Sequence, residues 1–129
     1  MLVPITALYA GILALIGIVL AAGSGFIRAR TGVSLGADSS NPEQLLAFRR
    51  HGNFTEWAPL FLILLGLLEL NGSSATTLHA LGGVFVLARI LHPLGLRAED
   101  AGGAGRALGA GGTVLVIAIA SVLAVMDFF

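Results

Sequence analysis

Arg49, Asn53 and Glu56 have side-chain types and spacings that suit the binding of a charged ligand. They are spaced i, i+4 and i+7, so a helix would place a guanidinium, an amide and a carboxylate on one face. Such a stripe offers both charge signs to one bound molecule. For Arg49, a contact with a lipid phosphate is an alternative of similar weight, and for the adjacent Arg50 that alternative is favoured.

A second arginine, Arg89, is expected to lie close to this stripe. The segment from Asn71 to Ser74 predicts a tight turn, and Glu56 and Arg89 each lie about 20 Å from it at 1.5 Å per helical residue. Because an unpaired charge inside a membrane is costly, we expect Glu56 and Arg89 to pair. The pair would serve either a ligand site or the structure alone.

The sequence offers neither a metal-binding pattern nor a thiol of its own. His51 and His92 have no carboxylate or second histidine at a helical metal-binding spacing, so we expect no metal site and interpret them as hydrogen-bonding residues. The sequence contains no cysteine, so a reactive thiol would have to come with a ligand.

The composition indicates a membrane protein. Hydrophobic residues make up 57% of the chain and charged residues 11%, against about 25% charged in soluble domains. Seven arginines balance seven acidic residues, so no net charge attracts nucleic acid, and we expect no nucleic-acid partner.

Four apolar segments are long enough to cross a bilayer, and they predict an all-α, four-transmembrane-helix bundle that forms a single domain over residues 1–129. Asn41 and Pro42 are typical of a helix start. No predicted strand precedes the glycines between Gly102 and Gly112, as it would in a phosphate-binding loop. We therefore interpret these glycines as sites of close helix packing. The predicted helices cover approximately residues 2–27, 42–70, 76–96 and 106–126.

The arginines also predict an orientation. Six of the seven arginines flank the first and third connections, while the termini and the second connection have none. By the positive-inside rule, the loops at Ala37 and Asp100 should be cytoplasmic and both termini outside.

The segment Arg49-Arg50-His51-Gly52-Asn53-Phe54-Thr55-Glu56-Trp57-Ala58-Pro59-Leu60-Phe61 resembles the signature R-x-x-x-N-x-x-E-[YFW]-x-P-x-F of the MAPEG family, membrane-associated proteins of eicosanoid and glutathione metabolism. The segment Val84-Phe85-Val86-Leu87-Ala88-Arg89, followed by His92 and Gly95, resembles the family's third-helix pattern. The resemblance covers nearly the whole chain. It is strongest to the small bacterial branch, which implies a bacterial inner membrane.

The resemblance implies a homotrimer with glutathione bound between adjacent subunits, in sites open to the cytoplasm. Arg49, Asn53 and Glu56 would hold the charged and amide ends of glutathione. An arginine of the neighbouring subunit's first helix, Arg28 or Arg30, would also contribute. The remaining binding candidates are Arg89 and His92.

Two departures from the family pattern concern catalysis. Glutathione-using members have two tyrosines after the third-helix arginine, where this chain has His92 and Leu96. In those members an arginine further along the chain stabilises the thiolate. At the matching spacing this chain has Gly103, and Arg106 follows three residues later. Arg106 is therefore the candidate catalytic residue, provided that the glycine-rich segment shifts it into place.

Two functions follow from this pattern. The first is glutathione transferase-like conjugation, or peroxide reduction, of a lipophilic small-molecule substrate that arrives through the membrane lipids. The alternative is a non-catalytic trimer that acts as an accessory subunit or a lipid-binding structural protein.

Overall fold

The computed structural model describes residues 2–32, 41–97 and 103–129, which form four α-helices. The predicted loop positions Ala37 and Asp100 lie outside these ranges. Each helix is long and apolar enough to cross a membrane. The helices are α1 (Pro4–Thr31), α2 (Pro42–Leu70), α3 (Ala75–Gly95) and α4 (Ala104–Met126).

The helix ends follow local sequence signals. The Asn41 side chain accepts a hydrogen bond from the Gln44 backbone N–H at 3.1 Å, and Pro42 occupies the first turn, as predicted for α2. Ser74 caps α3 through the Thr77 backbone N–H in the same way. α1 extends past its predicted end and stops at Gly32, whose φ of 74° is left-handed.

The helices run alternately up and down, with α1 and α4 at opposite corners of the bundle. α2 and α3 contact each other, and both contact α1 and α4, whereas α1 and α4 do not touch within the described ranges. Phe61 of α2 and Phe85 of α3 stack at the centre, with ring centroids 3.9 Å apart. Both side chains are fully buried.

α1 is attached to the bundle near the α2–α3 turn. The Glu69 carboxylate accepts hydrogen bonds from the backbone N–H groups of Ile5 at 2.8 Å and Thr6 at 2.7 Å. One turn further, the Tyr9 hydroxyl donates to the His79 carbonyl at 3.0 Å, and its ring fills the space where a Cβ of Gly82 would stand. A carboxylate of α2 thus satisfies two of the unpaired N–H groups at the start of α1.

Large apolar side chains cover the outside of the bundle. Val19, Leu115 and Val122 are each more than half exposed. Such a surface is unsuited to water and suited to lipid or to another copy of the chain.

Candidate functional site

A cavity of about 440 Å³ opens at one end of the bundle, between the first half of α2 and the ends of α3 and α4. This end contains the described arginines other than the buried Arg89, and we call it the arginine end. Small-molecule sites typically enclose about 300–1,000 Å³. The cavity is lined by Pro42, Leu45, Leu46, Phe48, Arg49, Gly52, Asn53, Glu56, His92, Leu96, Arg97 and Arg106.

The polar stripe of α2 faces this cavity together with residues from two other helices. Arg49, Asn53 and Glu56 all line it, as their common helical face predicts. His92 comes from the last turn of α3 and Arg106 from the first turn of α4. Together with Arg97, which lies just after α3, three guanidiniums, an imidazole, an amide and a carboxylate therefore surround one space.

Arg89 lies behind the cavity wall and is not among its lining residues. Its side chain is 2% exposed, and its Nη1 donates to the Asn53 Oδ1 at 2.9 Å. Its Nη2 donates to the Gly109 carbonyl at 3.2 Å and to the Thr113 hydroxyl. The Thr113 hydroxyl in turn donates to the Gly109 carbonyl at 2.8 Å. This guanidinium thus links α3 to α2 and α4.

The predicted ion pair between Glu56 and Arg89 is wrong. Glu56 is exposed on the cavity side of α2, and the ion pair found among the described residues joins Arg30 to Glu43 instead. Asn53 takes the place next to Arg89 because residues three apart on a helix differ by about 60° around its axis. The matching depth of Glu56 and Arg89 therefore does not make them neighbours.

Arg50 does not line the cavity, and its side chain reaches the end of α3. Its Nη2 donates to the Leu96 carbonyl at 2.6 Å. That carbonyl lies beyond the last turn of α3, where no intrahelical donor remains for it. Arg50 thus satisfies the end of a neighbouring helix, a partner that the sequence did not indicate.

Arg28 and Arg30 lie in the last turn of α1 and do not line the cavity of their own chain. Arg30 pairs with Glu43 at the start of α2, and both side chains are about half exposed. Any contribution of these arginines to a site would have to come from another copy of the chain.

Close packing of α3 against α4 sets the positions of His92 and Arg106. A Cβ at Gly95 would collide with the backbone of Gly105 and Arg106. A Cβ at Gly109 would come within 2.6 Å of the His92 backbone nitrogen. Gly105 and Gly109 therefore act in helix packing, as the sequence predicted, whereas Gly111 has no atom within 4 Å of a Cβ placed there. This packing brings the first turn of α4 to the cavity.

Two contributors were not anticipated from the sequence. Arg97 lines the cavity just after α3 ends, and the Thr113 hydroxyl accepts a hydrogen bond from Arg89 within a mostly apolar helix. A threonine four residues after a glycine, in the part of α4 that carries no charge, is a weak signal for such a role. Among the described residues, no three His, Cys, Asp or Glu side chains come together as a metal-binding group.

These features define a class: a helical membrane protein with a polar, charge-lined cavity at one end of a four-helix bundle. The family model of the MAPEG family matches residues 6–126. The chain therefore belongs to the MAPEG family and is an integral membrane protein. A comparison with curated proteins found no match.

Proposed function

We propose that the protein binds glutathione in the cavity at the arginine end and conjugates it to lipophilic electrophiles or uses it to reduce lipophilic peroxides. The observation that carries this proposal is the cavity itself, which Arg49, Asn53, Glu56 and Arg106 line together. Membership in a family that includes glutathione-related membrane proteins supports the same ligand.

The lining matches the chemistry of glutathione. This tripeptide carries two carboxylates and an ammonium, which arginines and a glutamate complement. Arg49 would bind a carboxylate and Glu56 the ammonium. Both are exposed in the single chain, so water and ligand reach them.

The thiol must come from glutathione, because the chain has no cysteine. Arg106, in the first turn of α4, would then stabilise the thiolate by charge, which lowers the pKa of the bound thiol. His92 and Asn53 would orient the peptide, and the apolar side chains of Leu45, Leu46 and Phe48 would receive the lipophilic substrate.

A homotrimer would complete the site. Arg28 and Arg30 do not reach the cavity of their own chain, and a neighbouring chain would supply one of them. Gly82 and Gly109 are occupied by contacts within the chain, so they are not available for contacts between chains. Gly11, with no atom within 4 Å of a Cβ placed there, still offers a close approach to a second helix.

The second candidate is a non-catalytic trimer that acts as an accessory subunit or binds lipid. Leu96 and His92 line the cavity at positions where glutathione-using relatives have tyrosines. The apolar lining would accept an acyl chain as readily as a lipophilic electrophile, and the arginines would bind a lipid phosphate. Under either function, we place the protein in a bacterial inner membrane with the arginine end in the cytoplasm.

Isothermal titration of the detergent-purified protein with glutathione tests the proposal. Wild type should bind, and Arg49→Ala should weaken binding at least tenfold, because a charge-assisted contact is worth about 1.5 to 3 kcal/mol. Arg49→Lys keeps the charge without the forked donors and should fall between them. Arg50→Ala should matter less, because Arg50 does not itself line the cavity and is bonded to the backbone carbonyl of the lining residue Leu96.

Arg106→Ala separates binding from activation. Near-normal affinity with lost thiolate absorbance would assign thiolate stabilisation to Arg106. A folded wild-type protein that binds no glutathione at millimolar concentration would favour the lipid-binding function.

A further inference from the structure

We infer that Arg89 is a positioning residue that fixes the orientation of the Asn53 side-chain amide, so that position 53 offers hydrogen-bond donors to the ligand. The inference rests on the proposed ligand cavity and specifies what one part of its wall recognises. Arg89 acts through Asn53, since its own side chain is 2% exposed and lies behind the wall.

The amide orientation follows from the chemistry of the two groups. A guanidinium carries N–H donors and no acceptor, so the Asn53 atom that meets Arg89 Nη1 must be the carbonyl oxygen. The other end of the amide, Nδ2 with its two hydrogens, is then left for the remaining side of Asn53. Because Asn53 lines the cavity, these donors are available to a bound molecule.

Arg89 is itself held rigidly enough to impose this orientation. Its Nη2 is fixed on α4 by the Gly109 carbonyl and the Thr113 hydroxyl. Its Cζ lies 5.6 Å from the centroid of the Phe85 ring, which restricts the guanidinium from another side. An amide flip at Asn53 would set its NH₂ group against a fixed cation.

The positive charge of Arg89 also favours an Asn53 side chain that donates hydrogen bonds to the ligand. No acidic side chain lies within ion-pair distance of Arg89 in the described ranges, where its guanidinium meets hydrogen-bond acceptors and the Phe85 ring. Hydrogen bonding to this cation polarises the Asn53 amide and strengthens its N–H donors. Position 53 should therefore select a carboxylate, carbonyl or thiolate of the ligand and reject its ammonium, which leaves Glu56 as the ammonium partner.

Asn53→Asp tests the inference, because it keeps the side-chain size and replaces the donor by an acceptor. The new carboxylate would pair with Arg89 and raise the melting temperature. It would also repel an acceptor group of the ligand and weaken glutathione binding at least tenfold. Unchanged or tighter binding would show that Asn53 offers an acceptor to the ligand, and would overturn the inference.

Thr113→Val is the matched control, since it removes another partner of Arg89 without altering the cavity wall. It should lower the melting temperature while changing glutathione affinity less than Asn53→Asp does. Equal losses of affinity in both variants would mean that Asn53 has no specific part in recognition.

A stability cycle of Arg89→Met, Asn53→Leu and the double variant tests the contact without any ligand. The two changes should be non-additive, and additive losses would overturn the inference. If wild type binds no glutathione while Asn53→Asp raises the melting temperature and the cycle shows coupling, the proposed function fails and the positioning of Asn53 by Arg89 stands.

Discussion

The attachment of α1 to α2 through Glu69 leads to a quantitative prediction for Glu69→Gln. The carboxylate accepts from two backbone N–H groups, those of Ile5 and Thr6. A glutamine side chain has one acceptor oxygen, so it keeps at most one of these bonds. It also loses the negative charge that interacts favourably with the N-terminus of α1.

We expect Glu69→Gln to lower the free energy of unfolding by about 2 kcal/mol, since a hydrogen bond to a charged group contributes about 1.5 to 3 kcal/mol. The matched control is Glu43→Gln on the same helix. Glu43 pairs with Arg30 at a site where both side chains are about half exposed, and such pairs contribute about 0 to 1 kcal/mol.

Both variants would be compared with wild type by denaturant titration and thermal unfolding in one detergent. Amide hydrogen exchange adds a local measurement, because the N–H groups of Ile5 and Thr6 should lose protection in Glu69→Gln and keep it in Glu43→Gln. Equal stability losses in the two variants, with unchanged exchange at Ile5 and Thr6, would refute this account of how α1 is held.

Three further predictions concern packing, topology and assembly. Gly109→Ala should destabilise the bundle by about 1 to 3 kcal/mol because its Cβ would meet the His92 backbone, whereas Gly111→Ala should be tolerated since no atom lies within 4 Å of its Cβ; equal melting temperatures would contradict this packing. In intact cells, a cysteine introduced at Ser73 should react with an impermeant thiol reagent, and one introduced at Ser39 should not. The reverse labelling pattern would show that the orientation in the membrane is the opposite of the one predicted. Native mass spectrometry in mild detergent should show three chains, and a monomer or dimer as the sole species would count against the trimer.

Composition and local signals were sufficient to predict the helices. Asn41 and Ser74 mark helix starts because their side chains accept from backbone N–H groups that the helix leaves unpaired. The end of α1 was placed too early because the arginines were taken as the edge of the apolar segment. Basic residues suit the last turn of a helix, and the left-handed Gly32 is what ends α1.

The sequence predicted the depth of the site residues better than their rotation around the helix axes. Glu56 and Arg89 were correctly assigned to neighbouring helices, but helix facing decides between residues at similar depth. Asn53, one turn from Glu56, is the residue that faces Arg89. The expectation that opposite charges pair favoured the Glu56 carboxylate as the partner of Arg89. Helix packing placed the Asn53 amide next to Arg89 instead.

Contacts to backbone carbonyls could not be predicted from residue types. Arg50 binds the Leu96 carbonyl and Arg89 the Gly109 carbonyl, and every residue carries such an acceptor. Which carbonyl is accessible depends on how closely the helices approach. At Gly109 the missing side chain allows that approach, so the glycine is visible in the sequence but its partner is not.

An experimental structure of the purified protein saturated with glutathione would test the central claim most directly. We predict ligand density in the cavity at the arginine end, with a carboxylate on Arg49, the ammonium on Glu56 and an acceptor group on the Asn53 Nδ2. Glutathione bound elsewhere, or a lipid that occupies the cavity while glutathione is excluded, would contradict the account.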